Sequence, residues 1–108
     1  MTAPFVASLR SPHAPIILGR PSEKVLHLRA QVLEAWDAVR IDANPAEPVK
    51  NLKLRALEAL YPHSADPAEF VVKLRGFEIL DENVSLAEAG ALEGSIFLIA
   101  DRRRRPVQ

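Results

Sequence analysis

The sequence predicts an α+β domain, a mixed four- to five-stranded sheet packed on one main helix. Three observations lead there. Two successive runs, 24–32 and 36–43, alternate apolar and polar residues with period two, as half-buried strands do. One stretch, 48–60, carries apolar residues at three- and four-residue spacing, as an amphipathic helix does. Two further strand-like runs follow at 70–75 and 96–100. One apolar face per strand and one apolar stripe on a helix are the parts of a two-layer domain.

Length and composition allow one such domain. The chain has 108 residues, 48% apolar and 26% charged, enough for a single modest core. Formal net charge is zero, which removes bulk electrostatic attraction to nucleic acid or to a membrane surface. There is no cysteine, so a disulfide framework, a thiolate zinc site, a cysteine nucleophile and an iron–sulfur centre are all excluded. Met1 to Leu9 lacks the charged-then-apolar order of a secretory signal, and no apolar run approaches the roughly 18 residues of a membrane span. Cytoplasm is the expected compartment, with no membrane partner. A composition rich in Ala, Arg and Pro points to a GC-rich bacterial source.

The elements follow in order. Residues 1–23 form a Pro-rich N-terminal extension with Pro4, Pro12, Pro15 and Pro21. Proline excludes a helix there and interrupts a ladder. Two readings stand for it: a disordered lead-in, or a short strand over Ala14 to Leu18 against a sheet edge of its own chain or a neighbour. The main domain, 24–101, opens with Lys24 to Val32, where Leu26, Leu28 and Ala30 alternate with His27, Arg29 and Gln31. Trp36 to Ala43 returns with Val39, Ile41 and Ala43 on one face, so the two runs form an antiparallel hairpin. Pro48 suits a first helical turn, and Val49, Leu52, Ala56 and Leu60 give the stripe, widened by Leu54 and Leu57. Tyr61-Pro62 stops the helix.

Phe70 to Arg75 is a strand ended by Gly76, and Phe77 to Leu80 is a short return. Ser85 with Glu88 three residues on is a capping box for one helical turn. Ile96 to Ala100 is apolar on both faces, the mark of a central strand. The expected core is Leu26, Leu28, Val39, Ile41, Val49, Leu52, Leu60, Val72, Leu74, Leu86, Ile96 and Leu98. Residues 102–108 are a basic tail: Arg102, Arg103, Arg104 and Arg105 hold four of the 14 basic residues.

Specific residues then add a family likeness. Pro45, Val49, Leu52 and Lys53 resemble the proline, core aliphatics and buried lysine at the start of the helix in ubiquitin. Val72-Lys73-Leu74-Arg75-Gly76 resembles its third strand and glycine turn. Ile79, Asp81, Ser85 and Leu86 resemble the stretch that follows, and Leu92 through Ile99 resembles the run into its last strand. The chain thus resembles the ubiquitin-like β-grasp proteins over about 24–103. The resemblance implies a partly buried Lys53 paired with a carboxylate, Asp81 being the candidate, because a buried unpaired lysine is costly.

The chain departs from that family at its end. Conjugating members finish in Gly-Gly, and here those positions fall near Arg104 and Arg105. Conjugation through the C-terminus is therefore not expected, because a side chain fills the space that glycine leaves for close backbone approach. The same departure removes the terminal glycine that a sulfur carrier needs. Only four lysines, Lys24, Lys50, Lys53 and Lys73, are present as acceptors.

No catalytic, metal or cofactor site is legible. His13, His27 and His63 lack ligand spacing, the glycines are dispersed, and Asp81-Glu82 reads as a solvated turn. The expected working surface is the sheet face opposite the helix, carrying His27, Arg29, Arg40, Val71, Lys73, Arg75, Phe97 and Ile99. Phe97 and Ile99 with Val71 would form an apolar spot rimmed by basic groups, or would be covered by the N-terminal segment. Lys73 stands where the ubiquitin patch has its central isoleucine, which implies that partners reading ubiquitin do not read this chain. The arginine tail has three readings: a solvated terminus, a dock for an acidic partner, or a weak nucleic-acid contact, which ranks last.

The expectation is a non-enzymatic protein that acts through protein–protein interaction, with no cofactor. Its candidate protein-binding residues are Val71, Lys73, Arg75, Phe97, Ile99 and Arg102 to Arg105. The resemblance suggests a modifier-like component of a bacterial ubiquitin-like pathway with an activating-enzyme-like partner. Pro48-Val49-Lys50-Asn51-Leu52 also resembles the ubiquitin-like accessory proteins of type VII secretion, whose partner would be secretion machinery. Ile16-Ile17-Leu18 offers self-association by strand addition.

Overall fold

The computed structural model of the chain describes residues 14–20, 23–62 and 66–102. Its elements are β1 (Ile16–Leu18), β2 (Leu26–Val32), β3 (Asp37–Ala43), helix α1 (Val49–Leu60), β4 (Phe70–Leu74), β5 (Phe77–Glu78), the single turn α2 (Leu86–Ala89) and β6 (Ile96–Asp101). They form one six-stranded mixed sheet in the order β1-β3-β2-β6-β4-β5. β2 lies antiparallel to β3 and parallel to β6; β4 lies antiparallel to both β6 and β5.

The sixth strand comes from the Pro-rich extension. Ile16, Ile17 and Leu18 pair in parallel with Ile41, Asp42 and Ala43 of the same chain. No proline lies between Pro15 and Pro21, so a three-residue ladder fits in the gap. Ile16 and Leu18 are buried in the core, which places the start of the sheet well before Lys24. Of the two readings of this segment, Ile16–Leu18 takes the strand, and its edge pairing is made within its own chain.

The hairpin of β2 and β3 closes through a 3-10 turn, Leu33–Ala35, and then Trp36 at φ 53°. A tryptophan in the left-handed region is strained by on the order of 1 kcal/mol. The β4–β5 hairpin turns on Arg75 and Gly76, both at positive φ, the geometry of a tight two-residue turn. Arg75 therefore belongs to the turn and not to the strand.

Helix α1 crosses one face of the sheet and buries Val49, Leu52, Lys53, Ala56 and Leu57. Leu54, expected to widen the stripe, is exposed. It lies two residues from both Leu52 and Ala56, about 200° around the helix from each. The helix start has no side-chain cap at Pro48. Instead the amides of Val49 and Lys50 donate to the carbonyls of Val84 and Glu82, at 2.9 and 2.8 Å. Those carbonyls satisfy donors that a helix start leaves unpaired. The next turn carries the expected capping box: the Glu88 amide donates to Ser85 Oγ and the Ser85 amide to Glu88 Oε1, each at 3.0 Å.

Most of the expected core is buried: Leu28, Val39, Ile41, Val49, Leu52, Val72, Leu74 and Leu86, with Leu26 and Leu60 packed at its margin. β6 is the exception. Phe97 and Ile99 point into the core at 0% exposure, and Ile96 and Leu98 point away from it. The pairing fixes this phase, because Ala30 and Leu74 face Phe97, while Val32 and Val72 face Ile99. A strand apolar on both faces carries no alternation from which to choose, and a one-residue slip exchanges its faces.

Candidate functional site

The face of the sheet opposite α1 is built in rows fixed by the strand register. One row runs Arg40, Arg29, Ile96 across β3, β2 and β6. The next runs Ala38, Gln31, Leu98, Lys73, Glu78 from β3 to β5. Val71 and Ala100 form a third pair. Beyond the first row lie Ile17, Asp42 and His27. The strand period of two puts each of these side chains on the face away from α1 while its neighbours along the strand enter the core.

Phe97 and Ile99, expected here, are in the core and offer no surface, and they are replaced by Ile96 and Leu98. Ile96 is 53% exposed. Val71 is on this face as expected but is only 1% exposed, so it too presents nothing to a partner. Lys73 is in place, half-buried between Leu98 and Glu78. Arg75 lies at the turn, where its Nη2 donates to the carbonyl of Gly90 at 3.1 Å. Arg102 ends the described chain with its guanidinium 3.9 Å from Glu78. Arg103, Arg104 and Arg105 lie outside the described residues, as do His13 and His63.

Ile17 and Trp36 are exposed apolar groups that the sequence alone did not assign to a docking surface. Ile17 belongs to β1 and stands on this face. Trp36, the one tryptophan of the chain, is 85% exposed at the tip of the β2–β3 hairpin. Its signal was available in the expected strand 36–43, where period two puts Trp36 with Ala38, Arg40 and Asp42, away from the core face of Val39, Ile41 and Ala43.

At the other end of the face, His27 and Glu93 are joined twice. The His27 amide donates to Glu93 Oε1 at 3.0 Å, and its ring Nδ1 lies 2.8 Å from Oε2. Chiefly through the backbone bond, the Glu93 carboxyl is held below its ordinary value. Lys53 is buried, as the resemblance implied, but its partner is Glu82 and not Asp81. Its Nζ donates to both carboxylate oxygens of Glu82, at 2.9 and 3.0 Å. Asp81 instead accepts the amide of Asn83 within its own turn.

Among the described residues no three His, Cys, Asp or Glu side chains converge, and no helix is long and apolar enough to cross a membrane. No protein family matches the chain, and no curated protein matches it significantly. Solved structures do. The ubiquitin-like domain of an Arabidopsis thaliana protein superposes with a TM-score of 0.63 at 14% identity, covering 83% of this chain and 90% of that one. Ubiquitin from Caldiarchaeum subterraneum gives 0.61 at 13% identity, over 78% and 98%. A de novo design based on ubiquitin gives 0.60 at 16% identity, over 81% and 100%. Together with the mixed sheet crossed by one helix, these matches show that the chain has the ubiquitin-like β-grasp fold.

Proposed function

We propose that this chain is a non-enzymatic binding module that docks other proteins on the outer face of its sheet. The observation that carries the reading is the row pattern of that face. Ile96, Leu98 and Ile17 are apolar groups turned away from the core, and they are interleaved with Arg29, Arg40 and Lys73. Apolar anchors within a polar rim are the anatomy of a protein interface. The fold suits the role, because the helix and core occupy one side of the sheet and leave the other to present side chains. Lys73 at the centre of the face supports a partner range different from that of ubiquitin.

The finer reading is a modifier-like component of a bacterial ubiquitin-like pathway, engaged without covalent attachment. It rests on the likeness of the Val72–Gly76 and Leu92–Ile99 segments to ubiquitin. The cysteine-free sequence is compatible with the reducing cytoplasm, where we place it. The secretion-accessory reading rests on the 48–52 segment alone.

The test is to recover the protein from its native host and measure its intact mass with whatever co-purifies. A full-length chain held non-covalently by a partner is the expected result. A covalent adduct on target lysines would overturn the non-covalent reading.

A further inference from the structure

The row Arg40–Arg29–Ile96 borders an open hollow of about 380 Å³ on the outer face, closed at its sides by His27, Glu93 and Gly94. Arg29 and Arg40 are directly opposite on adjacent strands. Like charges in that relation destabilise a sheet. Arg40 is met by Asp42 two residues along its strand, Nε to Oδ1 at 3.2 Å. Glu93 is occupied by His27. The Arg29 guanidinium has no partner among the described residues, so the hollow presents an unpartnered hydrogen-bonding fork beside a half-exposed isoleucine.

We infer that this hollow is a carboxylate-binding subsite, taking an Asp or Glu side chain of a partner protein whose neighbouring apolar side chain rests on Ile96. The assignment deepens the docking role proposed above and rests on it. A guanidinium fork binds a carboxylate through two parallel hydrogen bonds, a geometry that an ammonium lacks. The fork and its surroundings select the occupant. One unpartnered guanidinium matches the two oxygens of a monovalent carboxylate, whereas Glu93 on the rim and Asp42 on Arg40 repel a phosphate dianion more strongly than a monoanion. Another hollow, of about 600 Å³ beside Pro45, Ala46 and Ala87, is lined by Lys24 and Glu23 but by no arginine fork. Its Asn44 and Ser85 are engaged in turn and cap bonds.

The test titrates the full ¹⁵N-labelled chain with the blocked peptide acetyl-Leu-Asp-Leu-amide, with its Asn counterpart, and with inorganic phosphate. The amides of Gly94 and Ile96 and the Arg29 Nε–H should shift saturably with the Asp peptide. Affinity should fall about tenfold with the Asn peptide, the loss of one charge-assisted pair. The Arg29→Gln variant should lose the response, and Arg55→Gln, on the helix, should keep it. Equal response to the Asn peptide, equal response of Arg29→Gln, or stronger binding of phosphate at these resonances would each overturn the assignment. The docking role is read separately. If Ile96→Ser and Leu98→Ser abolish capture of a partner that Arg29→Gln still binds, the subsite fails and the docking face stands.

Discussion

Lys53 and Glu82 are 29 positions apart in sequence and share two hydrogen bonds, of 2.9 and 3.0 Å, under the first turns of α1. Lys53 is 4% exposed. The same Glu82 accepts the Lys50 amide through its backbone carbonyl, so one residue both pairs the buried charge and finishes the helix. The pair fastens the 81–86 loop to the helix where no side-chain cap exists.

Removing the carboxylate of this pair should be costly, because the ammonium left behind is buried, whereas removing the ammonium leaves a carboxylate that reaches solvent. Glu82→Ala leaves a buried ammonium without its anion and should destabilise by about 2–4 kcal/mol. Lys53→Met keeps the volume and should be within about 1 kcal/mol of the parent. Urea unfolding of both variants checks this, and equal losses in the two would show that the pair does not hold the loop.

The phase of β6 gives opposite outcomes for neighbouring residues. Phe97→Ser empties a fully buried position and should cost at least about 3 kcal/mol. Leu98→Ser, on the outer face, should cost about 1 kcal/mol or less. A reversed order in thermal unfolding would restore Phe97 to the surface.

Trp36 reports on both strain and surface. Its emission should be that of a water-exposed indole, open to aqueous quenchers. Trp36→Gly should stabilise the hairpin by up to about 1 kcal/mol, because glycine takes positive φ without strain. A buried-type emission spectrum, or destabilisation by the glycine, would contradict the turn geometry.

Glu93 should titrate below the ordinary range of a glutamate, because the His27 amide donates to its ionised form. A carboxyl whose folded value is depressed contributes stability above its unfolded value, and that contribution fades as pH falls through the folded value. The stability gap between the parent and Glu93→Gln should therefore close on acidification. Carboxyl NMR titration of Glu93 at the ordinary midpoint would refute the link.

Much of the fold was legible because its signals are local. Leu26, Leu28 and Ala30 show their period within one strand, Val49, Leu52 and Ala56 show theirs within one helix, and Ser85 with Glu88 spells its own cap. What escaped depends on partners distant in sequence. The β6 phase is set by Ala30, Val32, Val72 and Leu74, none of which the strand itself reveals. Ser95 and Asp101 even misdirect, since they share the parity of Phe97 and Ile99 while being polar. Asp81 and Glu82 are adjacent carboxylates, and only the path of the loop decides which reaches Lys53. β1 was obscured by flanking prolines that lie outside its three residues. The candidate surface follows the strand phase: His27, Arg29, Arg40 and Lys73 lie on the expected face, while Phe97 and Ile99 give way to Ile96 and Leu98.

The central claim is that the outer sheet face is the docking surface. The most direct measurement compares capture of a host partner by the parent chain, by the paired variant Ile96→Ser with Leu98→Ser, and by Leu80→Ser, an exposed leucine outside the sheet. All three should unfold at similar temperatures. The face variant should lose the partner at least about tenfold, the consequence of roughly 1.4 kcal/mol of lost apolar contact, while Leu80→Ser retains it. Undiminished capture by the folded Ile96→Ser, Leu98→Ser variant would contradict the claim.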